Sequence, residues 1–138
     1  MPDPPLRVVV AEDDDRFAEL IRSLLHDDGR FEVVARAANG DEAVALVEEH
    51  RPDIVLMDIV MPVRDGIEAT RQIHARDPRQ HVVVYTGSDM YADVLRAESV
   101  GVEGYLHKEA LRSPALAETL LVLHANHEHH PSDPDDED

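Results

Sequence analysis

The sequence contains no cysteine, which excludes disulfides and thiol chemistry without fixing a compartment. It has no tryptophan and only two Phe and three Tyr, so any core must be aliphatic. No apolar run approaches the length of a membrane span. The opening MPDPPLRVVV lacks the basic-then-apolar plan of a signal peptide. The expectation is therefore a cytoplasmic protein with no membrane contact. Positive charge is scarce: 13 Lys and Arg face 30 Asp and Glu, for a net charge of −17. Such a surface repels nucleic acid and anionic lipid, so direct nucleic acid binding is not expected. Neutral or basic protein patches, cations, and phosphodonors that arrive with metal are the expected partners. Lysine is scarcest of all, because Lys108 is the only one in an Arg-rich chain.

What is present is enough for one domain: 138 residues, 43% of them apolar. LRVVVA (6–11), FEVVARA (31–37), IVLM (54–57), HVVVYT (81–86) and EGYL (103–106) read as strands. Between them Phe17, Leu20, Ile21, Leu24 and Leu25 repeat at helical spacing, and Gly29 ends that helix. Further helices are expected over 41–50, 65–77, from about 88 to 100, and from 113 to 124. Strands that are continuous apolar runs, alternating with helices, predict a parallel five-stranded sheet covered on both faces, an α/β fold. The domain is expected to span 6–124. Residues 125–138, acidic and His-containing, lack the apolar residues to order themselves and read as a disordered tail. His124, His127, His129 and His130 in that stretch could take Zn²⁺ or Ni²⁺, but a solvated tail is the plainer reading.

In a parallel sheet every strand's C-terminal end faces one way, and ligands bind there. Glu12 and Asp13 follow the first strand, Asp58 the third, Thr86 ends the fourth, and Lys108 lies just past the fifth. Alone, each has a bland explanation: acids begin helices for dipole reasons, and a lysine is usually a solvated charge. Together they bring three carboxylates, a hydroxyl and an ammonium to one rim. Three carboxylates raise one another's pKa unless a cation joins them. An all-oxygen set suits Mg²⁺ rather than zinc. One acid could hold the metal while another attacks phosphorus, with the lysine and hydroxyl receiving the phosphoryl oxygens. The compact charge of lysine serves there better than the broad fork of arginine.

These residues, in VVVAEDD, LMDIVMPVRDG, VVVYTGS and GYLHK, resemble the receiver domain of two-component response regulators, over about residues 6–124. DIVMPVRDGIEATRQI and GYLHKE are most similar to the subgroup commonly fused to a helix-turn-helix output, which is absent here. The resemblance implies a flavodoxin-like (βα)5 sandwich of strand order 2-1-3-4-5. It implies Asp58 as phosphoacceptor, Mg²⁺ held by Asp13, Asp58 and the Val60 carbonyl with Glu12 acting through water, and Thr86 and Lys108 on the phosphoryl group. Thr86 and Tyr105 would form the switch, altering the face made by the fourth helix, fifth strand and fifth helix. A sensor histidine kinase or phosphotransfer protein would be the donor, and a downstream protein or a missing effector domain the recipient. An activation-dependent dimer is compatible with this. Departures are Glu109 where the family often has Pro, which puts the following loop's geometry in question. Val63-Arg64 stands where the family often has Gly, and a modest loop change is expected. Val60 is apolar and cannot orient an attacking water.

Two other functions compete. A haloacid-dehalogenase-like phosphohydrolase also uses an Asp nucleophile, and Asp13 and Asp15 fit its spacing, but Phe17 replaces its Thr or Val and there is no length for a cap domain. A degenerate receiver could act purely as a binding module, although all the residues needed for chemistry are present.

Overall fold

The computed structural model describes residues 3–87 and 104–129. Five strands, β1 (Leu6–Ala11), β2 (Phe31–Ala37), β3 (Ile54–Asp58), β4 (Val82–Thr86) and β5 (Gly104–His107), form one parallel sheet of order β2-β1-β3-β4-β5. Helices α1 (Asp15–Asp28), α2 (Gly40–His50) and α3 (Gly66–Arg76) and a C-terminal helix (Leu116–His129) cover it. A 3-10 turn, Lys108–Arg112, follows β5. The helix expected over about 88–100 lies outside the described residues.

Alternation along the strands sorts the core into two layers. Val9, Val55, Met57, Val82 and Val84 face α2 and α3 through Ala43, Val47, Ile67 and Ile73. Val8, Val10, Ile54, Leu56, Val83 and Tyr85 face α1 and the C-terminal helix through Phe17, Ile21, Leu25, Leu116 and Leu120. The helices begin where side chains can replace missing backbone partners. Asp14 accepts from the Arg16 and Phe17 N–H groups, Asn39 from Glu42 N–H, and Asp65 from Glu68 N–H. Gly29, at φ +87°, ends α1 in the left-handed region that glycine enters freely.

The C-terminal helix runs past the boundary expected at 124, to His129. The reason lies across the sheet, in His81, just ahead of β4. Its ring stacks on that of His127 at 4.5 Å between centroids, and its Nδ1 lies 3.0 Å from His124 Nδ1. His127 Nε2 donates to the Arg79 carbonyl at 2.8 Å, and His124 Nε2 lies 3.2 Å from Glu128. His124 and His127 are thus packing residues of a helix end rather than parts of a solvated tail. Residues 130–138 lie outside the described residues.

Candidate functional site

Glu12, Asp58 and Tyr85 continue the rows Val8–Val10, Ile54–Leu56 and Val83, so alternation turns all three toward the α1 side. Glu12 is fully buried. Its backbone is held by the Ala37 carbonyl and by Arg36, whose guanidinium donates twice to the Glu12 carbonyl at 2.9 and 2.7 Å. Its carboxylate accepts from Tyr85 Oη at 2.7 Å and from Asp14 N–H at 3.0 Å, and lies 3.6 Å from Lys108 Nζ. The Lys108 ammonium in turn sits 4.5 Å over the Phe17 ring, a cation–π contact that steadies it at the edge of the cleft.

Asp58 closes β3, and its side chain accepts from Val60 N–H at 3.1 Å. The chain then returns so tightly that Gly66 N–H donates to the Ile59 carbonyl at 2.8 Å. A Cβ on Gly66 would meet the Asp58 carbonyl oxygen at 2.1 Å, so only glycine lets α3 begin beneath the aspartate. Oxygen atoms of Glu12, Asp13 and Asp58 all lie within 4.8 Å of one another. Burial and then the negative charge of Glu12 lift the Asp58 carboxyl to about 7, against the pull of Val60 N–H and Lys108. Three carboxylates face one ammonium, so the site holds excess negative charge, and its all-oxygen donors fit a hard divalent cation.

These groups open on one cleft of about 470 Å³, lined by Glu12, Asp13, Asp14, Asp58, Val60, Thr86, Gly87 and Lys108. Every metal and phosphoryl-contact residue expected from the sequence lines it. The Val60 side chain points into solvent. Tyr105, half-buried, packs against the α2–α3 layer of the core and is not part of the cleft lining. A comparable cleft of about 500 Å³ lies between the ends of α2 and α3, but its Arg76 and Glu48 already pair with each other and none of the expected site residues lines it.

Two departures acquire a physical form. Val63 adopts φ +70°, so the chain keeps a left-handed residue in this loop although a β-branched side chain is strained there. Glu109 enters the 3-10 turn and its N–H donates to His107 Nδ1 at 3.2 Å, while its carboxylate lies 3.9 Å from Arg112. Gly66 and Tyr85 carry no local signal of a role here: Gly66 is needed for a close backbone approach, and Tyr85 for a contact across two strands.

The model of the response regulator receiver domain matches residues 8–120. The chain belongs to the response regulator receiver domain family. This receiver is 38% identical over 102 residues to the chemotaxis protein CheY of Halobacterium salinarum, covering 74% of this chain and 83% of that one. It is 38% identical over 118 residues to the transcriptional regulatory protein DegU of Brevibacillus brevis, covering 86% of this chain but 50% of DegU. Among solved structures, the signal receiver domain of the response regulator NarL from Mycobacterium tuberculosis superposes with a TM-score of 0.83 at 28% identity, over 89% of this chain and 98% of that one. Relatives thus include regulators whose output domain lies beyond the part this receiver matches. Among the described residues, no helix is long and apolar enough to cross a membrane.

Proposed function

We propose that this receiver is a phosphorylation-controlled switch in which Asp58 accepts a phosphoryl group from a sensor histidine kinase, a phosphotransfer protein or a small phosphodonor. The observation that carries this reading is a carboxylate at the floor of a cleft that also holds two further acids and an ammonium, its pKa raised by burial first and by the charge of Glu12 second. An Asp58 carboxylate oxygen attacks phosphorus. The bond from phosphorus to the donor imidazole nitrogen breaks, and its electron pair stays on that nitrogen. Lys108 and Thr86 receive the phosphoryl oxygens. Asp13, Asp58 and the Val60 carbonyl would hold Mg²⁺, with Glu12 acting through water. Mg²⁺ supplies charge neutralisation to the carboxylates and the incoming phosphoryl group. The chain catalyses its own phosphorylation and dephosphorylation and turns over no separate substrate.

Thr86 lies at the end of β4, beside β5, where Tyr105 sits. Movement of Thr86 toward the phosphoryl group frees space for the Tyr105 ring, and the surface of β5 and the C-terminal helix changes for a downstream protein or an effector domain. The net charge of −17 supports protein rather than nucleic acid partners for this part of the chain. The test is intact-protein mass after incubation with acetyl phosphate and Mg²⁺. One added phosphoryl group, absent in Asp58→Asn and in EDTA, is expected. No gain in a folded wild-type sample would overturn the reading and leave a binding module.

A further inference from the structure

Tyr85 is a fully buried phenol to which the switch mechanism above gives no part. Its strand partner is Asp58, and its side chain crosses past β3 to reach Glu12, the residue after β1. The 2.7 Å bond is the shortest that either Glu12 oxygen makes among the described residues. It falls on Oε1, the same oxygen that lies 3.6 Å from the Lys108 ammonium. A phenol hydroxyl and an ammonium therefore compete for one carboxylate oxygen, and the phenol holds it at hydrogen-bonding distance while the ammonium stands back over Phe17.

We infer that Tyr85 is a positioning residue for the cation site: its hydroxyl anchors the Glu12 carboxylate toward Asp13 and Asp58 and keeps Lys108 from closing on it. The inference rests on the Mg²⁺ site proposed above. Glu12 is buried, so losing a donor is costly and favours a replacement from a neighbouring side chain. The nearest replacement is Lys108. Without the phenol, the Glu12–Lys108 pair tightens from 3.6 Å to hydrogen-bonding distance, which swings the carboxylate out of the cation site and draws the ammonium from the place a phosphoryl oxygen would use. A residue that orients a metal-site carboxylate by hydrogen bonding typically changes metal affinity by tenfold or more when lost. Phenylalanine retains the ring and its packing on Phe17 at 6.1 Å, so Tyr85→Phe removes the hydroxyl alone, with its bond to Glu12 and a longer 3.5 Å contact to the Ala11 carbonyl.

The experiment is a Mg²⁺ titration followed by backbone amide shifts, at pH 8, on wild type, Tyr85→Phe, Glu12→Met and the double variant. Tyr85→Phe is expected to weaken Mg²⁺ binding about tenfold in the wild-type background and less than twofold beside Glu12→Met. Equal weakening in both backgrounds makes Tyr85 a packing residue and overturns the inference. Unchanged affinity in Tyr85→Phe overturns it while leaving the proposed switch intact. If the wild type itself binds no Mg²⁺, the cation site and this inference fall together. Lys108→Met supplies a second background should Glu12→Met not fold. There Glu12 has no ammonium to close on, so the Tyr85→Phe effect shrinks below threefold, and a full tenfold effect counts against the inference.

Discussion

The two ends of the sheet bury titratable groups by the same physics and to opposite ends. At the C-terminal end of the strands, burial and like charge raise the Asp58 carboxyl to about 7. At the N-terminal end, burial and the neighbouring His127 and His124 rings lower His81 to about 3. In both places desolvation favours the neutral form. The difference is access. Asp58 opens on a cleft where a cation can enter and neutralise it. His81 is sealed, and among the described residues its Nε2 has no hydrogen-bond partner. One end is poised for a ligand, and the other is a closed joint between β4 and the C-terminal helix. Electrostatic frustration alone therefore does not mark a functional site; frustration beside an opening does.

The largest test of this contrast is acid. The unfolded chain takes a proton on His81 near its ordinary 6.5, which the folded chain refuses until about 3. The stability His81 allows is complete above pH 6.5 and falls as the pH drops toward 3, at about 1.4 kcal/mol per pH unit. Other acid-sensitive groups titrate as well, so the quantity to measure is the difference between wild type and His81→Phe in urea unfolding. The variant is expected to gain on wild type by about 3 kcal/mol between pH 7 and pH 4. A flat difference would break the comparison at this end.

Asp58 should show the opposite slope. Its folded pKa is raised, so the folded chain keeps a proton that the unfolded chain releases from 3.8 upward. The stability this gives is present below pH 3.8 and lost as the pH rises through about 7. Asp58→Asn escapes that loss. It is expected to be more stable than wild type by about 2–3 kcal/mol at pH 8 without Mg²⁺, the cleft's solvent reducing the full linkage value, and no more stable near pH 3.5. Saturating Mg²⁺ should narrow the gap, because the proposed cation site is complete in the folded wild type and lacks one carboxylate in the variant.

A smaller effect sharpens the contrast further. The acid end also holds backbone strain, in Val63 at φ +70° on an exposed loop. Val63→Gly is expected to stabilise by about 1 kcal/mol in the same unfolding assay, and no gain would mean that the loop's contacts already compensate the strain.

Much of this molecule is written locally. Asp14, Asn39 and Asp65 cap helices from where they stand, Gly29 ends one, and unbroken apolar runs announce a buried parallel sheet. Glu12, Asp13, Asp58, Thr86 and Lys108 were legible as a site because chain polarity sends every strand end to the same rim. The sequence marks Val63-Arg64 as a place of change in the loop, but the sign of φ at Val63 is not legible there, and nearby contacts include the Arg64–Asp41 pair at 2.5 Å. The end of the last helix was misplaced because HANHEHH looks solvated until His81, 43 residues before His124, is laid against it.

Fold class, strand ends and the charges gathered at the rim follow from the residue pattern, because periodicity, capping and strand polarity act over a few residues. Which of those groups touch depends on how the elements pack. Register across β1, β3 and β4 sets Tyr85 against Glu12 rather than leaving it as one more core residue, and the packing of the C-terminal helix turns three histidines into a buried joint. Those contacts link residues tens of positions apart, and distances of that kind are set by how whole elements pack rather than by any local pattern.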